Sequence, residues 1–178
     1  LVSFKNPFVK FALSNEILNV GTAYMQMYIR LSGLRNCKTL VMPRGQPPRH
    51  SQLWHRDPGD KMYFKVFIYL NDVDEETGPL YYVKESHNRG KYGHIFPQRL
   101  PFRSEYGRIS DEEVNQAVPR ENIIVCTGKA GTMIFADTTV IHKGGYSTKN
   151  PRTMFIVQFA SRVPLSAPWK RKKWIFST

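Results

Sequence analysis

The sequence predicts a mainly β fold, a double-stranded β-helix or jelly roll with supporting N-terminal helices, in a single domain spanning residues 1–178. Three observations carry that expectation. Short runs rich in β-branched and aromatic residues recur along the chain, and 12 glycines with 12 prolines punctuate them as turns. Apart from one short stretch with a capping pattern, a helical period is confined to the first 27 residues. With 41% hydrophobic and 13% aromatic residues, the chain is globular, and its length suits one domain with a real core.

In order along the chain, Phe8, Phe11, Ala12, Ile17, Leu18 and Val20 recur near the helical period and predict one or two helices. Pro7 suits a helix start, where its missing N–H costs nothing, and Ser14 or Asn15 can cap a second helix. Residues 27–43 alternate and predict two strands joined at Gly33 or Asn36. Which of residues 37–40 face inward is not legible from the pattern. Residues 43–51 form a polar, proline-rich loop in which His50 reads as a surface histidine.

Residues 61–72 form a strand, with Met62, Phe64, Val66, Ile68 and Leu70 on the core face. Its other face is mixed and carries Tyr63, Lys65, Phe67 and Tyr69. Next comes an acidic turn whose Asp74-Glu75-Glu76 lacks the spacing of a calcium loop and reads as solvated. Gly78-Pro79 lead from it into a short strand, Leu80–Val83. Residues 88–120 show no strong period and read as a lid or substrate loop, with a short capped helix at Ser110-Asp111-Glu112-Glu113. Strands over 122–126, 132–135 and 153–160 complete the domain, with Gly128 and Gly131 supplying a turn between the first two.

A net charge of +12 asks for an anionic partner, so its placement matters. Residues 1–60 hold 8 Lys/Arg against 3 Asp/Glu and residues 161–178 hold 5 against none, whereas residues 61–160 are close to neutral at 13 against 11. The excess therefore sits at the two ends. In the basic tail, residues 163–178, Lys170-Arg171-Lys172-Lys173 lie between Trp169 and Trp174 and could touch nucleic acid, but one short run reads first as a solvated tail. Nucleic acid is thus not the expected partner. Cys37 and Cys126 make neither a disulfide framework nor zinc spacing and read as buried small apolar side chains. No membrane span or signal peptide is visible, so a cytoplasmic protein is expected.

The chemistry concentrates at Trp54-His55-Arg56-Asp57. His55 and Asp57 are separated by one residue, so on an extended segment both point to the same side. A distant His142 could close a face of three ligands, the two-imidazole, one-carboxylate set that suits non-haem Fe(II) and leaves positions open. Arg152, ten residues beyond His142, offers a fork of donors shaped to hold a carboxylate at two points. That pairing predicts a dicarboxylate cosubstrate, clamped at its far end and chelating iron at its near end. On the mixed strand face Tyr63 or Lys65 is placed to reach cosubstrate or substrate, with an exposed strand lysine as the plain alternative for Lys65.

The flanking stretches agree. Tyr69-Leu70-Asn71-Asp72-Val73, Thr77-Gly78-Pro79-Leu80, Ser86-His87, Ala130-Gly131-Thr132-Met133-Ile134-Phe135 and Val140-Ile141-His142-Lys143-Gly144-Gly145 join the metal motif in a pattern that resembles the phytanoyl-CoA dioxygenase-like family of Fe(II)/2-oxoglutarate oxygenases. The likeness covers roughly residues 10–162. It departs where that family usually has Pro-Gly before Ser-His and this chain has Lys84-Glu85. The resemblance implies a cupin-like jelly roll, with His55, Asp57 and His142 as metal ligands and catalytic centre and Arg152 as the cosubstrate anchor; Lys65 and Tyr63 are expected as further cofactor-binding residues from their place on the mixed strand face. It implies Fe(II), 2-oxoglutarate and O2 as cofactor and cosubstrates, with ascorbate as a stimulant. It also implies hydroxylation of a C–H bond of a small organic substrate, with 2-oxoglutarate decarboxylated to succinate and CO2. Asp57 argues against halogenation, because related halogenases carry a small residue there. His87 belongs to a structural loop element and is not expected to bind metal. Gly144-Gly145 is expected to let the backbone approach the metal closely, and further family elements are expected upstream of residue 1, which is not Met.

Three rival readings remain open to the sequence. A nucleic-acid demethylase of the AlkB type would share the ligands but needs a second arginine shortly after the first, which Arg152-Thr153-Met154-Phe155-Ile156 lacks. A non-catalytic jelly-roll binding module would need no complete triad, and a structural zinc site would need four closed ligands. No stretch selects a substrate. Arg89, Lys91, Arg99, Arg103 and Arg108 suit an anionic one and equally suit solvent.

Overall fold

The computed structural model describes residues 2–97, 107–161 and 176–177. Expectations for Arg99, Arg103 and residues 163–175 of the basic tail lie outside the described residues. In chain order the elements are β1 (Val2–Ser3), α1 (Pro7–Ala12), α2 (Asn15–Met25), β2 (Arg30–Thr39), β3 (Tyr63–Tyr69), β4 (Leu80–Val83), α3 (Asp111–Ala117), β5 (Ile123–Cys126), β6 (Met133–Asp137), β7 (His142–Gly144), β8 (Arg152–Ala160) and β9 (Phe176–Ser177).

Pro7 sits in the first turn of α1, and the Asn6 side chain accepts from the Phe8 N–H, so proline and cap act together. Ser14 precedes α2, whose last turn ends at Gln26 in the left-handed region (φ 53°). α2 lies tightly on the sheet. A Cβ at Gly21 would come within 2.5 Å of Ile29 and 2.8 Å of Phe64, so only glycine permits this approach.

The strands form a four-stranded sheet in the order β2-β8-β3-β6 and a three-stranded sheet in the order β5-β4-β7, both antiparallel, with β1 and β9 as a parallel pair. This is the jelly roll. β3 is central and all seven of its residues are buried, but its two faces differ. Phe64, Val66 and Ile68 pack with Phe155, Val157 and Phe159 under Ala12, Ile17 and Met25 of the helices. Phe67 and Ile156 face the other way and meet Leu80 of the smaller sheet, so the mixed face of β3 is the barrel interior. A third cluster, including Trp54, Val83, Ile109, Val114 and Ile141, fixes α3 against the outside of the smaller sheet.

Residues 27–43 do not form two strands. β2 is one strand interrupted by a bulge: Leu31 pairs with Phe159 and Gly33 with Gln158, leaving Ser32 as the extra residue. Gly33 marks the bulge rather than a turn, and Asn36 pairs with Phe155 in mid-ladder. The cysteines are free but only half-buried, and both lean on the cluster between the sheets. Of segment 88–120, the described ends are packed down: Tyr92 and Gly93 are buried at one end, and Ile109, Val114 and Val118 at the other. α3 forms as expected, with Ser110 and Glu113 closing a capping box. Among the described residues no helix is long and apolar enough to cross a membrane.

Candidate metal centre

Backbone pairing brings His55 and His142 together across about half of the chain's length. They face each other in an antiparallel bridge, with His55 N–H to His142 O at 2.9 Å and His142 N–H to His55 O at 3.0 Å. Two residues on, Asp57 N–H donates to Thr138 O at 2.8 Å, which extends the segment and points Asp57 to the same side as His55. The connection leading into β7 is itself fixed. Asp137 Oδ1 accepts from the Thr139 N–H and hydroxyl, and Asp137 Oδ2 from the Tyr24 hydroxyl of α2 at 2.8 Å.

His55 Nδ1 lies 2.9 Å from Leu53 O, and His142 Nδ1 lies 3.0 Å from Val140 O. A carbonyl oxygen can only accept, so both rings carry their proton on Nδ1 and leave Nε2 as a bare lone pair. One ligand atom from each of His55, Asp57 and His142 lies within 4.8 Å of the others, and His55 Nε2 is 3.9 Å from Asp57 Oδ1. Two imidazole nitrogens and one carboxylate oxygen within reach of a single cation fit a hard or borderline divalent metal. Backbone carbonyls holding the far ring nitrogens are the usual support for such ligands.

Protonation favours the same use. Burial, and then the neighbouring His142, push His55 down to about 3 against the pull of Asp57. Burial likewise lowers His142. Both rings are therefore neutral at neutral pH. Burial alone would raise Asp57, but Lys65 and the two histidines outweigh it and hold the carboxyl well below the usual carboxylate range. Lys65 Nζ sits 2.5 Å from Asp57 Oδ2, which leaves Oδ1 on the histidine side. Lys65 is thus buried rather than exposed, and it touches a member of the triad. Tyr63, on the same face, holds its ring 6.0 Å from that ammonium.

Arg152 opens β8 and is buried to 3% exposure. Its Nη1 donates to Gly78 O and its Nη2 to Thr39 Oγ1 at 3.3 Å, while Nε has no partner. A buried donor left unmet is costly unless a ligand meets it, so the guanidinium has capacity for an anion. Gly78, whose carbonyl accepts the Nη1 bond, adopts φ +80°, a conformation that favours glycine. Gly144 and Gly145 sit close to other protein groups. A Cβ at Gly144 would meet Arg152 at 3.3 Å, and one at Gly145 would meet Pro79 O at 2.6 Å, so these glycines admit the Gly78-Pro79 backbone and the guanidinium. His50 and His87 are exposed and stand apart from the centre.

Sequence reasoning missed the support behind the triad. Arg56, between the two ligands, points to the opposite side by strand alternation and is 8% exposed. It donates to the carbonyls of Ser86, Thr139 (2.9 Å), Phe96 (2.8 Å) and Ile95 (3.1 Å), stitching the motif to two other loops. Trp54 and Lys143, the neighbours of His55 and His142, also turn outward. Trp54 Nε1 donates to Asp111 Oδ1 at 2.6 Å, and Lys143 pairs with the same oxygen while lying 5.0 Å from the Trp54 ring. Alternation around each ligand was the signal that could have found these residues; their partners were not legible.

Comparison with known proteins agrees with this geometry. Residues 39–154 match the family model described as phytanoyl-CoA dioxygenase. Among solved structures, EctD from S. alaskensis with bound Fe superposes with TM-score 0.61 at 17% identity, covering 87% of this chain and 53% of that one. The epimerase SnoN in complex with Fe3+, alpha ketoglutarate and nogalamycin RO gives 0.61 at 16% identity, with 88% and 59% coverage. HygX from Streptomyces hygroscopicus, with nickel and 2-oxoglutarate bound, gives 0.57 at 15% identity, with 89% and 69% coverage. At these identities the likeness is one of fold, and this chain spans roughly half to two-thirds of the length of those three. No curated protein matches it.

Proposed function

Because the chain belongs to the phytanoyl-CoA dioxygenase family, we propose that it is an Fe(II)- and 2-oxoglutarate-dependent dioxygenase that hydroxylates a C–H bond of a small organic substrate. The observation that carries the reading is the convergence of two bare Nε2 atoms and Asp57 Oδ1, each held from behind by a backbone carbonyl or Lys65. His55, Asp57 and His142 would hold the iron. When bound, iron and 2-oxoglutarate supply an oxidative decarboxylation: 2-oxoglutarate and O2 give succinate and CO2, and the second oxygen atom enters the substrate C–H bond.

The chain's own residues do the rest. Arg152, with Thr39 beside it, binds the far carboxylate of the cosubstrate through its fork of donors. Lys65 holds Asp57 by one oxygen, keeping the carboxylate ionised and directed. Tyr63, on the same face of β3 with its ring 6.0 Å from the Lys65 ammonium, is assigned beside the cosubstrate. The epimerase SnoN shares this fold, so hydroxylation as the outcome at the substrate carbon is the finer part of the proposal. Incubation with Fe(II), 2-oxoglutarate, ascorbate and air tests it by following succinate. Slow succinate formation, abolished in His142→Ala and strongly reduced in Arg152→Ala, is expected. Folded, iron-loaded protein that forms no succinate overturns it.

A further inference from the structure

A second guanidinium borders the triad. Trp54 pairs with Ile109 in an antiparallel bridge, with Trp54 N–H to Ile109 O at 3.1 Å and Ile109 N–H to Trp54 O at 2.9 Å. That register sets Arg108 opposite His55, just as the next bridge sets His142 opposite His55 on the other side. Residues directly opposite in an antiparallel pair project to the same face. Arg108, His55 and His142 thus form a row across three adjacent segments, with the Arg108 side chain on the face that carries the ligands.

Arg108 Nη1 is fully buried and has no hydrogen-bond partner. A guanidinium nitrogen shut away from water and protein acceptors is a costly arrangement that an incoming anion would relieve. Arg152 is on another side: it borders Gly144, further along β7, and is anchored to Gly78 and Thr39. The two arginines therefore flank the triad from different directions, and one dicarboxylate held on Arg152 leaves Arg108 free.

We propose that Arg108 is the anchor for an anionic group of the primary substrate, a carboxylate or phosphate, which it holds beside the metal centre opposite His55. This inference rests on the proposed oxygenase reading and adds the substrate class to it. Arg108 follows Gly107, which adopts φ +101°, so the anchor sits at the point where segment 88–120 rejoins the metal strands.

The test uses protein loaded anaerobically with Fe(II) and 2-oxoglutarate, so that Arg152 is already engaged. Inorganic phosphate and propionate are titrated separately, with propionamide as the neutral control, and binding is followed calorimetrically in wild type, Arg108→Gln and Arg108→Lys. The proposal expects one or both anions to bind wild type and propionamide not to, with binding weakened about tenfold or more in Arg108→Gln and partly kept in Arg108→Lys. Which anion binds decides between carboxylate and phosphate. The visible band of the Fe(II)–2-oxoglutarate complex should be unchanged in both variants. Equal binding to wild type and Arg108→Gln, no anion binding to wild type, or loss of the band in folded Arg108→Gln each overturns the proposal. A wild-type protein that never forms the band refutes the oxygenase reading itself, a failure distinct from these.

Discussion

Replacing Arg56 by methionine should cost the fold about 4 kcal/mol while leaving the ligand face of the folded protein intact. The magnitude follows from its partners. Six carbonyls accept from this guanidinium, those of Tyr92 and Gly93 only at 3.4 and 3.5 Å, and no other donor reaches the oxygens of Ser86, Thr139, Ile95 and Phe96 among the described contacts. Ser86 and Thr139 are buried, at 0% and 3% exposure, so their oxygens would be stranded at about 1–3 kcal/mol each. Ile95 and Phe96 are half-buried, where water can take over, and add little. Burial lowers the Arg56 pKa to about 10, so the group is still a cation at neutral pH and its bonds are charge-assisted. Methionine keeps most of the stem volume, which confines the change to the lost donors. Arg56→Lys keeps the charge but not the fork, and about half the loss is expected. Urea denaturation of the metal-free protein, with the slope checked for two-state behaviour, reads the difference as a lower midpoint. A loss below about 1 kcal/mol for Arg56→Met would refute the reasoning, since stranding two buried carbonyls cannot be that cheap.

Two further outcomes follow from the same structure. The metal-free protein should be acid-labile before its carboxylates matter: with His55 held near 3 in the fold against 6.5 unfolded, the unfolded chain takes up a proton between those values that the fold refuses. Stability therefore falls as pH falls, by about 1.4 kcal/mol from this residue between about pH 7.5 and 5.5, with lowered His142 adding in the same direction; a flat urea midpoint over that range would contradict it. Gly78→Ala should lose at least about 2 kcal/mol and weaken 2-oxoglutarate binding, because φ +80° strains any L residue and the new Cβ would sit 2.7 Å from Gly145 O; calorimetric melting and cosubstrate titration check the two effects.

The triad was legible because its information is local in type and spacing. His55 and Asp57 share a side by alternation alone, and His142 with Arg152 ten residues later supplied the remainder. Long-range register was not legible. Nothing in the string says that Trp54 pairs with Ile109, so Arg108 could not be told apart from Arg89 or Lys91. Nor could Arg56 be recognised as an anchor, because it binds main-chain carbonyls, which any sequence provides. Gly33 shows the limit of turn chemistry: the same residue type serves a bulge and a turn, and the ladder to β8 decides between them. The mixed face of β3 was read correctly as a pattern, but that Lys65 reaches Asp57 depends on where the metal strand crosses the barrel.

The central claim is that His55, Asp57 and His142 hold one Fe(II) with positions left open for a cosubstrate clamped by Arg152. An anaerobic Fe(II) titration with and without 2-oxoglutarate, followed through the weak visible charge-transfer band, addresses it most directly. One iron per chain should bind, and a band should appear only when both components are present, weakening in Arg152→Ala at the same cosubstrate concentration. A folded, iron-replete wild-type protein that shows no band at saturating 2-oxoglutarate would contradict the claim.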